Sequence, residues 1–308
     1  MMVNRATTTS LSQPTIDLSH YLPPGELQQL VERALTEDLG RGDITSDLLV
    51  PATLQATAVF RARCAGVIAG IDVAAWVYRL IDPALQFLPE VTDGTAVVAD
   101  QEIARVTGSA RNLLRGERVA LNFVQRLSGI ASLTARYVEA VRGTQARIVD
   151  TRKTTPGLRA LEKYAVRVGG GHNHRRDLSD MMLVKDNHLV ALHAYGRSLP
   201  EAITQARSAL PHTIKIEIEV DRVDQIPAAL EAGADVILLD NMDPPTLRAA
   251  VDLIAGQALT EASGGVRLET VRELAATGVD LISVGALTHS VTALDIGLDF
   301  EWKTDHVR

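Results

Sequence analysis

Six short apolar runs recur in the second half of the chain, each closing on a polar residue and followed by a stretch with helical spacing. They are ARIVDTRK (146–153), MMLVKDN (181–187), IKIEIEVD (214–221), DVILLDN (235–241), LTEASGG (259–265) and DLISVGA (280–286). A strand, a crossover helix and a parallel strand join in a right-handed sense, so repeated βα units either close into a barrel or spread into a doubly wound sheet. The intervening helices, expected at 158–168, 200–210, 223–232, 245–254 and 268–276, are short and evenly spaced, and Gly169, Gly233, Gly256 and Gly278 stand where several of them end. No G-x-G-x-x-G run opens the first unit, as a dinucleotide-binding sheet requires. An incomplete, six-unit β/α barrel is the expected architecture.

The first half reads differently. Residues 26–39 carry Leu27, Leu30, Val31, Ala34 and Leu35 at helical spacing before Gly40, and residues 55–63 alternate with Ala56, Ala58, Phe60 and Ala62 on one face. Short apolar runs around Val67, Phe87, Val97 and Ile103, separated by Gly and Pro, surround a helix expected at 73–81. This is the pattern of an α+β domain with a mostly antiparallel sheet. A long helix follows over about 110–128, placing Arg111, Arg115, Arg118, Asn122 and Arg126 on one stripe. A solvated polar face is the plain reading of that stripe. The expected organisation is a loose tail over 1–20, the α+β domain over 21–128, the barrel over 129–289 and a terminal segment over 290–308.

Bulk properties narrow the function. A single cysteine, Cys64, leaves no disulfide framework and no cysteine zinc site, and the amino-terminal residues lack a signal-peptide apolar core. No run reaches the roughly 18 apolar residues of a membrane span. A cytoplasmic protein without membrane attachment is expected. The net charge of -7 argues against nucleic acid as a partner, yet residues 152–185 hold eight Lys or Arg against three acids. Cations are thus concentrated in one stretch of an otherwise acidic chain.

Barrel active sites lie at the carboxyl ends of the strands. There the sequence places Asp150, Thr151, Arg152 and Lys153, then Lys185, Glu219 and Asp221, Asp240 and Asn241, Ser263 with Gly264 and Gly265, and Gly285 with Ala286. Arginines at such a rim would grip carboxylates or phosphates bidentately. Glu219 and Asp240 are candidates to hold Mg²⁺, which takes few protein carboxylates beside phosphate oxygens and water. The glycine turns would let main-chain amides approach a phosphate. Other readings stand beside these: Gly169 to Gly171 as a helix terminator, Glu217 and Glu219 as an ion-paired or solvated strand face, Lys153 or Lys185 as a Schiff-base lysine, and His172, His174 and His188 as a metal cluster.

The run DTRKTTPGLRALEKYAVRVGGGHNHRRDLSDMMLVKDNH (150–188) resembles the signature segment of the quinolinate phosphoribosyltransferases. EDLGRGDITSDLL, ERVALNFVQRLSGIA, IEIEVD, LLDNM, EASGGV and VGALTHS extend the resemblance over nearly all of 37–299, in the family's order. The resemblance implies that Arg152, His174, Arg175 and Lys185, helped by Thr151 and Lys153, hold the two quinolinate carboxylates, and that Arg118 reaches into the neighbouring site of a homodimer. It implies that Glu219 and Asp240 serve the ribose hydroxyls and metal, and that Ser263, Gly264, Gly265, Gly285, Ala286 and His289 form the 5-phosphate region. Lys153, Lys185, Glu219 and Asp240 are then the expected catalytic groups, with phosphoribosyl pyrophosphate as the second substrate. A sibling transferase acting on another ring, or a non-catalytic phosphosugar sensor, remains the alternative.

Overall fold

The structure, a computed structural model, describes residues 16–301; residues 1–15 and 302–308, parts of the expected tail and terminal segment, lie outside the described residues. The loose tail expected as far as residue 20 ends sooner, because Leu18–His20 form a 3-10 turn capped by Asp17 and Leu18 is buried.

The first layer contains α1 (Pro24–Leu39), α2 (Ile44–Leu49), β1 (Gln55–Ala62), β2 (Gly66–Val67), α3 (Ile71–Ile81), β3 (Gln86–Pro89), β4 (Ala96–Val97) and β5 (Glu102–Ser109). In β1 the alternate residues Ala56, Ala58, Phe60 and Ala62 are buried as the sequence implies, and Phe60, Tyr78 and Phe87 meet with ring centres 6.0 to 6.1 Å apart. The last strand among the described residues, β12 (Ile296–Glu301), pairs with β1 in a four-stranded antiparallel sheet of order β12-β1-β5-β3, and β2 pairs separately with β4.

The long helix α4 (Ala110–Ala140) does not stop near Ser128 but runs twelve residues further. Gly129, just past the expected helix end, is a contact point: a Cβ there would lie 2.3 Å from the carbonyl oxygen of Thr292. Glycine costs a helix about 1 kcal/mol relative to alanine, and here it lets the 292–294 backbone cross the helix closely. One continuous rod therefore joins the two layers.

The parallel sheet consists of β6 (Arg147–Val149), β7 (Met182–Val184), β8 (Ile216–Val220), β9 (Val236–Asp240), β10 (Leu259–Ser263) and β11 (Leu281–Ser283), in the order β6-β11-β10-β9-β8-β7. These are the six expected strands. Helices α5 (Arg159–Val168), α6 (Asp186–Ala194), α7 (Leu199–Ala209), α8 (Ile226–Glu231), α9 (Pro244–Ile254), α10 (Val271–Ala275) and α11 (Ala286–His289) follow them. Ser198 and Glu201 form a capping box at α7, and the Asp243 carboxylate accepts the Thr246 N–H at α9. Helix α6 has no counterpart in the sequence reading, since none of its residues is buried and no apolar stripe marks it.

Side chains alternate across each strand. Ile216, Ile218, Ile237 and Leu239 are buried beneath the helices, while Glu217, Val236, Leu259 and Glu261 line a hollow of about 270 Å³ inside the barrel. Strands β6 and β7 are the two ends of the sheet, so the barrel is open between them. The 171–175 segment fills that gap: His172 bridges Val149 in parallel, donating to the Ile148 carbonyl (2.8 Å) and accepting from Asp150 N–H (3.0 Å).

Candidate active site

The cations of the 152–185 stretch gather at this gap. Thr151, Arg152 and Lys153 follow β6, Lys185 follows β7, and Arg175 lies on the segment between them. Thr151 Oγ1 accepts the Lys153 N–H at 3.0 Å, which folds the turn back on itself. Arg152 makes no side-chain hydrogen bond among the described residues, and its Nε is buried without a partner. Arg175 spends one N–H on the Met181 carbonyl (3.2 Å); burial, and after it the charge of Arg152, push its guanidinium below its ordinary value. Two arginines held together with donors to spare form a socket for carboxylates.

That turn is fixed from behind. Glu162 on α5, fully buried, accepts from Thr155 N (3.0 Å), Thr155 Oγ1 (2.8 Å) and Arg126 of α4 (2.7 Å). Arg126 also donates to the Thr288 carbonyl, and Thr288 Oγ1 donates to the Lys153 carbonyl (2.8 Å), so the turn and α11 are tied to one helix. Asp150 is not at the mouth. Alternation turns it outward, where its carboxylate takes Lys163, Asn173 and the His174 N–H and so pins the segment bearing His174 and Arg175. Burial pushes the Asp150 carboxyl up and the Lys163 ammonium down, and their mutual contact opposes both shifts.

Across the mouth, Lys185 Nζ contacts Glu219 Oε2, and Asp240 Oδ2 accepts from the Asn241 amide (2.6 Å). Each carboxylate keeps one oxygen without a partner among the described residues. Such hard oxygen donors suit a magnesium ion shared with substrate oxygens. Beyond them, β10 ends at Ser263, followed by Gly264 (φ 91°) and Gly265 (φ 59°). A Cβ on Gly264 would lie 2.1 Å from Asn241 Oδ1, so the close approach and the left-handed backbone both demand glycine. A Cβ on Gly285 would lie 3.0 Å from both Lys153 Cδ and His289 Nε2, which brings these two side chains over the start of α11. The amides of Gly264, Gly265, Gly285 and Ala286 have no partner among the described residues. Neighbouring free N–H groups on β10 and β11 suit a phosphate. Helix α11 has only four residues, so the amides themselves, rather than a helix dipole, carry this feature.

Quinolinate phosphoribosyl transferase sequence patterns match this chain twice, the N-terminal domain over residues 43–128 and the C-terminal domain over 130–299. The chain belongs to that family. Its quinolinate phosphoribosyl transferase relatives include the nicotinate-nucleotide pyrophosphorylase (carboxylating) of Mycobacterium leprae, 47% identical over 275 residues that cover 87% of this chain and 95% of that one. Another is the probable nicotinate-nucleotide pyrophosphorylase (carboxylating) of Bacillus subtilis, 43% identical over 282 residues, 92% of this chain and 96% of that one. The crystal structure of NadC from Streptococcus pyogenes superposes with a TM-score of 0.84 at 41% identity, covering 91% of this chain and 99% of that one.

Within this phosphoribosyl transferase the three histidines read as a possible metal cluster do not converge. His172 Nδ1 pairs with Arg167 (2.9 Å), His188 Nδ1 accepts the Lys185 N–H (2.9 Å) at the start of α6, and His174 faces Glu217 and Glu261 inside the barrel. The inner carboxylate Glu261, and the supports Lys163 and Glu162, went unread in the sequence. An acid in the middle of an apolar strand, as in LTEAS, was the available signal for Glu261. Arg111 and Arg115 are spent on Val50 and Asp47, and Arg126 on Glu162; Arg118, the remaining arginine of the stripe, is exposed with no hydrogen bond or ion pair among the described residues. No helix among the described residues is long and apolar enough to cross a membrane.

Proposed function

We propose that the protein converts quinolinate and phosphoribosyl pyrophosphate to nicotinate mononucleotide, pyrophosphate and carbon dioxide, a step toward NAD. The observation that carries this reading is the buried, unpartnered Nε of Arg152 beside Arg175, a donor placed for a carboxylate the chain itself does not supply. Arg152, Arg175 and Lys185, with Thr151 and Lys153, hold the dicarboxylate; His174, expected among these contacts, has Nε2 on Glu217 and Nδ1 on the Arg175 N–H and so backs the pocket instead. Ser263 with the free amides of Gly264, Gly265, Gly285 and Ala286, together with His289, takes the 5-phosphate. A ring bound at the gap and a sugar phosphate bound at β10 and β11 meet across the barrel axis, as attack of the ring nitrogen on the ribose carbon requires.

Glu219 and Asp240 would hold Mg²⁺, which supplies charge neutralisation for the departing pyrophosphate. The two carboxylates also face the ribose, where positive charge develops as the bond to pyrophosphate breaks. Once alkylated, the ring nitrogen draws in the electron pair left by carbon dioxide. Lys153, exposed above Gly285, is then placed to give a proton to the vacated ring carbon. Arg118, free on its own subunit and about 12 Å along α4 from Arg126, completes the site of a second copy in a homodimer. We place this chemistry in the cytoplasm, with no nucleic acid and no membrane as partner.

The test is a single assay for released carbon dioxide with quinolinate, phosphoribosyl pyrophosphate and Mg²⁺. Release is expected with all three and with none of the mixtures lacking one. Release that continues without the pyrophosphate ester, or turnover of a pyridine monocarboxylate in place of the diacid at equal efficiency, would overturn the reading.

A further inference from the structure

Beneath the mouth, one layer below Lys185 and Glu219, two carboxylates face the inside of the barrel. Glu217 and Glu261 are fully buried, and Oε1 of each has no hydrogen-bond partner. Between them lies His174: its Nε2 is 3.1 Å from Glu217 Oε2 and 3.6 Å from Glu261 Oε2. Three ligand-type side chains this close could be taken for a metal site. The ring's other nitrogen argues against it. Nδ1 accepts the backbone N–H of Arg175 at 2.8 Å, so the proton of a neutral ring sits on Nε2, and an imidazolium would carry one there as well. In either state Nε2 is a donor aimed at Glu217 and not a free lone pair.

We propose that Glu217, flanked by Glu261, is a positioning residue for the quinolinate pocket, holding the His174 ring so that the ring in turn fixes the backbone of Arg175. The chain of contacts is short: Glu217 accepts from Nε2, Nδ1 accepts from Arg175 N–H, and the Arg175 guanidinium sits beside Arg152. The segment needs such a hold, since it fills the β6–β7 gap with a single bridge to β6 in place of a strand ladder. Asp150 grips it from outside the barrel at the His174 N–H, and Glu217 grips it from inside through the ring. A side chain just past β6 and one on β8 thereby replace missing main-chain pairing. This inference rests on the proposed reaction, because it assigns Glu217 to the diacid side of that site.

The experiment is a double-mutant cycle read by steady-state kinetics on the full chain. Glu217→Leu should raise KM for quinolinate by about tenfold or more, while KM for phosphoribosyl pyrophosphate moves by less than about twofold. Glu217→Gln keeps an oxygen that accepts from Nε2, so it should stay within about threefold of the parent for quinolinate. In a His174→Ala background, Glu217→Leu should add less than about twofold, because the ring it holds is gone. Independent, multiplying effects in that background, or equal losses for both substrates, would overturn the proposal. So would a Gln variant as impaired as the Leu variant. If the Leu variant does not fold, nitrogen-15 histidine spectra of the unmodified protein decide: His174 should show a protonated Nε2 and an Nδ1 without a proton, and an unprotonated Nε2, a protonated Nδ1 or a stoichiometric bound metal ion would refute the arrangement. Absence of turnover in the unmodified enzyme would instead strike the reaction itself and leave the spectra standing.

Discussion

At the β6–β7 side of the mouth the groups open to an anion are side-chain cations, Arg152, Arg175 and Lys185. At the β10–β11 side they are the main-chain amides of Gly264, Gly265, Gly285 and Ala286. The first kind must be aimed by other side chains, and it is: Glu162, Asp150 and Glu217 brace the turn and segment that carry the arginines. The second kind is aimed by backbone geometry alone, through positive φ and the absence of Cβ. The difference follows from where the sheet is complete. Strands β10 and β11 are paired on both sides, so their ends are rigid, whereas β6 and β7 border the gap.

The sharpest way to separate the two sides is Arg152→Ala. Loss of charge-assisted bonds to a carboxylate, about 1.5 to 3 kcal/mol each, should raise KM for quinolinate by roughly 100-fold with little change for phosphoribosyl pyrophosphate. An unchanged quinolinate KM would remove the carboxylate socket from the account. Gly264→Ala should do the reverse. Its Cβ would meet Asn241 and its φ would be strained by about 1 to 3 kcal/mol, so KM for phosphoribosyl pyrophosphate should rise about tenfold with the smaller effect on quinolinate. Equal changes for both substrates would blur the division between the two sides.

A third experiment asks whether the cationic side is complete within one chain. Mixing Arg118→Ala subunits with Lys185→Ala subunits should restore roughly a quarter of the parent activity, since half the dimers are hybrids and each hybrid has one intact site. No recovery after proven exchange of subunits would confine Arg118 to its own surface.

The smallest effect concerns the layer beneath. Burial, and then the charge of Glu217, push the Glu261 carboxyl from 4.5 up to about 7. A raised carboxyl binds its proton more tightly in the folded state, so this contribution to stability is full below pH 4.5 and is lost as pH rises through about 7. Glu261→Gln, which imitates the neutral acid, should flatten that decline, by roughly 3 kcal/mol at most if the whole shift acts on one group. Denaturant melts at pH 5 and pH 8 would show it; a variant whose stability falls between them as steeply as the parent's would assign the decline elsewhere.

Much of this is legible in the sequence. The six βα units, the alternating β1 and the concentration of cations over 152–185 depend on local periodicity and residue type, which the chain carries in its own order. The pairing of acids and bases was less legible. Asp150, just past β6, and Glu217, on β8, are both acids at short strands, but one faces outward to Lys163 and the other inward to His174, and a one-residue difference in phase decides which. Arg111, Arg118 and Arg126 form one stripe in sequence, yet only packing against α2, α5 and α11 shows which of them are already spent.

By itself, then, the sequence determined the class of fold, the strand tips and the family, because periodic burial and glycine turns are local properties. Tertiary structure alone decided that the 171–175 segment fills the gap, that α4 spans both layers, and that Glu217 holds His174. Those outcomes depend on which residues distant in the chain share one buried space, where an unpaired charge is costly and a partner must be found.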